Sequence, residues 1–328
     1  MIGAARRLLT WAAPMLLAGC VSASVELPPA PVAWGPSIAV ETAPVPLDPS
    51  DPAATAVGDF RYAGGIAITS TATSRLHGLS DLVLTSDSRI ASVSDDGADL
   101  FTATMRFDAT GRLAGLAGVA LRPLTEADGG PFTNKSRSDA EGLSFLSNGD
   151  MLVSFERDHR IWRYPASGDP RPVPVPMPPV PMASNDGMEG LAAAADNSGY
   201  WVGVEPGSIW FCRLELSCDP VEGLPVPPVG YRLSGLTTGP DGELVILHHS
   251  FIPAIGSRII LTVVRSPREG KTVIGRLAMG PSTTVDNFEG VAVAPQANGD
   301  WRLFLLSDDN FNPSQRTLLL ALDWTPPQ

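Results

Sequence analysis

The chain has 328 residues, with 23 basic against 35 acidic side chains and a formal charge of -12. A surface that acidic repels phosphate backbones, which excludes a nucleic-acid partner. Gly and Pro number 32 each, a composition that suits a turn-rich β protein and leaves little room for long helices.

The N-terminus reads as an export signal. Arg6 and Arg7 precede an apolar run from Leu8 to Leu17, followed by Leu17-Ala18-Gly19-Cys20. The run is too short to span a bilayer, which takes roughly 20 residues. Its end resembles the lipobox of bacterial lipoproteins, which implies a signal peptide over residues 1–19 and acylation of Cys20. Val21, rather than Asp, follows the cysteine, and the resemblance then implies the outer membrane, facing the periplasm. Loss of Arg6 and Arg7 leaves 21 basic against 35 acidic residues in the mature chain. Residues 20–57 carry Pro28, Pro29, Pro31, Pro36, Pro44, Pro46, Pro49 and Pro52, which predicts an extended tether between lipid and domain. The folded domain is expected over 58–328, as a monomer.

One unit then recurs: a polar residue and Gly, a short apolar strand, a tight turn, and a second strand ending in polar residues. Its copies run from His77-Gly78-Leu79 to Ser94-Asp95-Asp96 and from Glu141-Gly142-Leu143 to Phe155-Glu156-Arg157. The others start at Glu189-Gly190-Leu191, Ser234-Gly235-Leu236 and Glu289-Gly290-Val291, and end at Val204-Glu205, Leu247-His248-His249 and Ser307-Asp308-Asp309-Asn310. Gly-to-Gly spacings of 45 to 64 residues suit a four-stranded propeller blade. Asn148-Gly149, Asp241-Gly242 and Asn298-Gly299 are predicted hairpin turns. The reading is all-β, a single β-propeller. Five blades are favoured, with Phe60–Ile68 supplying the last outer strand; six are compatible if residues 108–138 hide further strands. The Arg171–Pro176 run, with alternating Pro, is restricted to an edge or a loop. Trp162, Trp201, Trp210 and Trp301 are expected to pack between blades. Cys212 and Cys218, six residues apart, are read as a disulfide in an oxidising compartment, with two free thiols as the alternative.

Ser138-Asp139-Ala140-Glu141-Gly142-Leu143, the run Ser154-Phe155-Glu156-Arg157-Asp158-His159-Arg160, and Asn287-Phe288-Glu289-Gly290 with Ser307-Asp308-Asp309-Asn310 resemble the bacterial phytase-like proteins, described as having the esterase-like activity of phytase. The resemblance spans roughly residues 60 to 324. It implies a propeller and a hydrolase acting on phosphate or carboxylate esters.

The repeat register predicts where chemistry gathers. Glu141, Glu189 and Glu289 open inner strands, and Asp95, Glu156, Glu205 and Asp308 close the second strands, so all approach one end of the channel. Carboxylates crowded together must protonate or take up a cation, and an oxygen-only donor set is what Ca²⁺ prefers. His77, His248 and His249 are placed at the same mouth, with His248 or His249 as general base. Adjacent residues in a strand face opposite ways, so at most one of His248 and His249 reaches the channel. Arg157, with Lys135 or Arg137, is expected to hold an anionic group of a small ester or phosphoester substrate. The alternative is a non-catalytic propeller binding a protein or glycan in the periplasm, its carboxylates stitching blades together. Membrane contact is expected through the lipid anchor alone.

Overall fold

The computed structural model describes residues 35–327, so the signal peptide and Cys20 lie outside the described residues. The first strands are β1 (Glu41–Pro44), β2 (Ala56–Val57) and the long β3 (Phe60–Thr69). Antiparallel meanders follow. They are β4 (Leu79–Ser86), β5 (Arg89–Ser94), β6 (Asp99–Phe107) and β7 (Leu113–Pro123); then, after the four-residue helix α1 (Lys135–Ser138), β8 (Ala140–Phe145), β9 (Met151–Phe155), β10 (Arg160–Tyr164) and β11 (Val173–Val175). The next is β12 (Gly190–Ala193), β13 (Tyr200–Gly203), β14 (Ile209–Cys212) and β15 (Cys218–Pro220). It is followed by β16 (Arg232–Thr238), β17 (Leu244–Ile252), β18 (Gly256–Arg265) and β19 (Thr272–Met279). The last comprises β20 (Asn287–Pro295), β21 (Trp301–Asp308) and β22 (Leu318–Trp324).

The fold is all-β and propeller-like. The last meander is completed by β3, which pairs antiparallel with β22 from Leu318↔Ala67 to Asp323↔Arg61. A single bridge, Gly64↔Leu113, joins this sheet to the β4–β7 sheet. The inner strands meet in a closed cycle, β4 to β8 to β12 to β16 to β20 and back to β4. An apolar layer fills each gap between neighbouring sheets. Phe155 and Trp162 pack with Val93, Leu152 with Tyr200, Trp201 with Leu244, Leu261 with Phe288, and Phe304 with Phe101. Each fully buried Leu or Phe in these layers stabilises the fold by about 1.5–3 kcal/mol relative to exposure.

The repeated Gly has a packing reason. A Cβ on Gly235 would lie 2.7 Å from the Glu289 carbonyl oxygen, and one on Gly290 would lie 2.7 Å from the Asp81 carbonyl carbon. Inner strands therefore approach backbone to backbone around the axis, which any side chain there would prevent. The predicted turns also follow from local chemistry. Gly149, Gly242 and Gly299 all have φ 86°, the left-handed conformation such turns need.

Three features differ from expectation or refine it. Residues 41–57 are built into the fold rather than spacing it from a membrane. β1 pairs along β3, and Leu47 is 1% exposed in the core. Proline is tolerated there because β1 is an edge strand. Residues 108–138 add the outer strand β7 and α1. Cys212 and Cys218 are joined by a disulfide between paired residues of β14 and β15.

Candidate functional site

The sheet registers align the repeats without reference to sequence. In each, the residue two before the inner-strand position meets the residue that closes the second strand. Asp95 N donates to Gly78 O at 2.8 Å, Glu156 N to Asp139 O at 2.8 Å and Glu205 N to Gly187 O at 3.0 Å. Arg232 pairs with His249 and Asn287 with Asp308 in the same way. The inner positions are therefore Ser80, Glu141, Glu189, Ser234 and Glu289, and the closing positions Asp95, Glu156, Glu205, His249 and Asp308. In the β4, β8, β16 and β20 ladders the register shifts beside the inner residue. Such a bulge re-aims a side chain.

This register corrects the first repeat. Ser80-Asp81-Leu82, not His77-Gly78-Leu79, is the counterpart of Glu-Gly-Leu. The polar-Gly pair at 77–78 matched by accident, because the axial position is filled by Asp81 at φ 57°. His77 sits on the preceding loop, where its Nδ1 meets Asp309 Oδ2 at 2.8 Å.

The closing and inner residues converge on a polar cleft of about 220 Å³. Asp95, Asp139, Glu141, Glu156, Glu189, Glu205, Glu289 and Asp308 line it, eight carboxylates facing two cations, Lys135 and Arg157. His249, Asn185, Ser234 and Asn310 also reach the wall. His248 does not. It is 2% exposed and turned to the opposite face of β17, with Nδ1 lacking a hydrogen-bond partner among the described residues. Arg137 is also elsewhere, bonded to Glu126 and Asp158. Arg160 lies under the β9–β10 hairpin, its guanidinium 4.0 Å from the Phe155 ring centroid and 4.3 Å from that of Trp162.

The charges are only partly compensated. Lys135 Nζ bonds Asp95 O at 2.8 Å, Asp95 Oδ2 at 3.0 Å and the Asp139 carboxylate. Arg157 Nε bonds Asp139 and stands 3.8 Å from Glu156. Arg232 holds Glu205 through two bonds of 2.5 and 2.7 Å, and Asn287 donates to Glu289 at 2.6 Å. Glu141 and Glu189, each 8% exposed, have no hydrogen-bond or ion-pair partner among the described residues. Burial first, and then Glu189, Asp139 and Asp95 around it, drives the Glu141 carboxyl well above the usual carboxylate range. Burial with Glu205 and Glu156 does the same to Glu189, and burial with Asp308 to Glu289. Burial pushes Asp95 up to about 6 although Lys135 opposes it, and burial with Asp139 pushes Glu156 up to about 7. Burial holds His249 down to about 4, against a hydrogen bond with Asn287.

Two triplets have the geometry of cation ligands. Asp95, Asp139 and Glu141 each bring one carboxylate oxygen within 4.8 Å of the others, as do Glu156, Glu189 and Glu205. Asp95 Oδ1 is buried without a hydrogen-bond partner among the described residues. An orphaned anionic oxygen in an all-oxygen donor set fits a hard cation such as Ca²⁺.

A family model described as phytase-like, esterase-like activity of phytase, matches residues 74–209 and 213–311. The chain belongs to this phytase-like family. No curated protein sequence matches it. Among solved structures, the phytase-like chain resembles the major Malassezia sympodialis allergen Mala s 1 at 14% identity, over 81% of this chain and 91% of that one, with a TM-score of 0.47. It also resembles virginiamycin B lyase from Staphylococcus aureus at 13% identity, over 87% and 99% of the two chains, with a TM-score of 0.43.

Repeat register does not mark Asp139 or Asn185 as cleft residues; of the two cations expected beside Arg157, Lys135 is in the cleft and Arg137 is not. The signal for Asp139 was the Asp-x-Glu-Gly segment, in which Asp139 holds the place that Asn287 holds before Glu289-Gly290. Lys135 carries no repeat signal, since α1 is an insertion between sheets.

Proposed function

We propose that the phytase-like domain is a five-bladed propeller and a divalent-cation-dependent hydrolase of phosphate or related esters, lipid-anchored through Cys20 at the outer membrane and facing the periplasm. The observation that carries the hydrolase reading is the cleft at the axis mouth, where eight carboxylates meet Lys135 and Arg157, and where the carboxylates of Glu141 and Glu189 have no partner among the described residues. Carboxylates in that state are held ready for a cation, because burying them charged and alone is costly.

Asp95, Asp139 and Glu141, or Glu156, Glu189 and Glu205, would hold Ca²⁺. When bound, the ion would polarise an ester oxygen as a Lewis acid. The remaining work falls to the chain. Lys135 and Arg157 stand at the rim, 38% and 42% exposed, where they orient an anionic group. In hydrolysis the water oxygen bonds to phosphorus or to the acyl carbon, the bond to the leaving oxygen breaks, and the water proton must be taken up and returned to that oxygen. His249 lines the cleft and is neutral near pH 7, so it is free to take the proton. Glu156, on the same wall, would share that role only with the ion on the Asp95, Asp139 and Glu141 triplet.

A screen of 4-nitrophenyl phosphate and 4-nitrophenyl acetate, with Ca²⁺ and with chelator, tests the reading. Turnover that vanishes with chelator and falls roughly 100-fold in Glu141→Gln and Glu189→Gln is expected. Cation binding without turnover of any ester would leave the non-catalytic propeller. Cys20→Ala should release the protein from the membrane fraction; continued membrane attachment would refute the anchor.

A further inference from the structure

We infer that the ester this site takes carries an apolar substituent, and that Phe251 on the β17–β18 hairpin forms the wall on which the substituent lies. The inference rests on the hydrolase reading above and narrows its substrate class. It starts from a difference among the hairpins at the mouth. β5 ends at Ser94, β9 at Phe155, β13 at Gly203 and β21 at Asp308, so each stops at or just before its cleft residue. The segments that follow are polar or turn-forming: Asp95-Asp96-Gly97, Glu156-Arg157-Asp158, Glu205-Pro206-Gly207 and Asp309-Asn310. β17 alone runs on past its cleft residue, His249, to Ile252, and its pairing with β18 holds to the last step, with Phe251 opposite Ser257 and Ile252 opposite Gly256.

That extension is stiff and apolar. Alternate residues of a strand face the same way, so Phe251 stands on the His249 face, about 7 Å further out. Phe251 is 61% exposed, and Ile252 and Ile255 beside it are 37% and 46% exposed. Single exposed apolar residues are ordinary, but three on one hairpin tip form a patch. None of them is needed for a core layer. The loop that enters the mouth at Arg232 adds Val226 and Val229, both fully open to solvent.

The mouth is thus two-sided. Lys135 and Arg157 offer charge on the α1 and β9–β10 side, and the β17–β18 hairpin offers an apolar wall on the other. A densely phosphorylated polyanion would meet eight carboxylates and that wall, against Lys135, Arg157 and Arg232, each of which is already paired with a carboxylate. A single ester group with an aryl or alkyl substituent matches both sides.

The test compares two matched pairs on the mature protein with Ca²⁺: 1-naphthyl phosphate with methyl phosphate, and 1-naphthyl acetate with methyl acetate. The naphthyl ester of the cleaved class should show the lower KM. Phe251→Ser should raise that KM roughly five- to ten-fold, with kcat within two-fold, the methyl ester unaffected and the unfolding midpoint unchanged. Equal KM for both esters, unmoved by Phe251→Ser, overturns the inference. So does loss of liposome binding in Phe251→Ser with unchanged kinetics, which would make the tip a lipid contact. If no ester is cleaved, the hydrolase reading fails on its own. Naphthyl fluorescence then reports binding directly: weaker binding in Phe251→Ser keeps the apolar wall, and equal binding removes it.

Discussion

Two kinds of buried carboxylate sit close to the axis of this molecule, and they are treated in opposite ways. Asp81, fully buried on β4, accepts hydrogen bonds from Leu82 N at 2.7 Å, Leu143 N at 2.8 Å and Leu191 N at 3.4 Å. One side chain thereby ties three inner strands together. Glu141 lies on β8 and Glu189 immediately precedes β12, two of those same strands, and both are nearly as buried, yet no donor among the described residues meets them. A buried polar group with its partners in place specifies structure, while one without them stores a cost that only protonation or a ligand relieves. The difference separates a structural acid from acids kept for function, although residue type and burial are alike.

The largest expected effect breaks the structural side. Asp81→Ala leaves the Leu143 and Leu191 amides without an acceptor, which should lower unfolding free energy by about 3 kcal/mol, since each unsatisfied buried group costs roughly 1–3 kcal/mol. Asp81→Asn keeps one carbonyl and should lose about half as much; urea titration of both variants reads the difference. Equal, small losses would mean that the axis does not depend on this clasp.

Next comes the functional side. Ca²⁺ at about 100 times its dissociation constant should add ~2.7 kcal/mol, a rise of several degrees in Tm. Glu141→Gln should abolish most of that rise. With chelator the ordering inverts, because Glu141→Gln and Glu189→Gln each remove a buried carboxyl that is costly to ionise and has no partner among the described residues. Each should then match or exceed the parent, by about 1 kcal/mol, in the same thermal scan.

The pH dependence carries the smaller signal. Burial raises the carboxyl groups of Asp95 to about 6 and Glu156 to about 7 in the folded chain. Their neutral forms are favoured by folding, so this contribution is complete below the ordinary carboxylate range and is lost as pH rises toward 7. Without a cation, Tm should fall between pH 4 and 7; with Ca²⁺ the slope should flatten or reverse. A cation-free Tm that rises steadily over that window would show that the cleft acids are compensated in a way the ion pairs of Lys135, Arg157 and Arg232 do not reveal.

Much of the fold was legible locally. The Asn-Gly and Asp-Gly turns and the short apolar strands follow from backbone preferences and patterning within a few residues, and the pairing of Phe60–Ile68 with the last strand was legible because the final repeat lacks an outer strand of its own. The Glu-Gly repeat was also legible, because close approach of the inner strands requires Gly at four of the five axial positions. The first repeat misled for the same reason. Asp81 replaces that Gly, and the nearest polar-Gly pair lies three residues upstream, at His77-Gly78. Residues 41–57 misled through composition, since proline at an edge strand and proline in a spacer look alike in sequence.

The sequence by itself determined the all-β class, the repeat and most of the acids that share the cleft, because repeat register carries each side chain to the same end of its sheet. Only the tertiary structure decided that Asp139 and Lys135 join them, that His249 and not His248 faces inward, and that the β17–β18 hairpin stands beyond the rest. Those outcomes depend on bulges, on an inserted helix and on how far one ladder continues. The bulges and the placing of the inserted helix answer to contacts between neighbouring sheets, and the length of the ladder to pairing across its own hairpin; the repeat pattern encodes none of them.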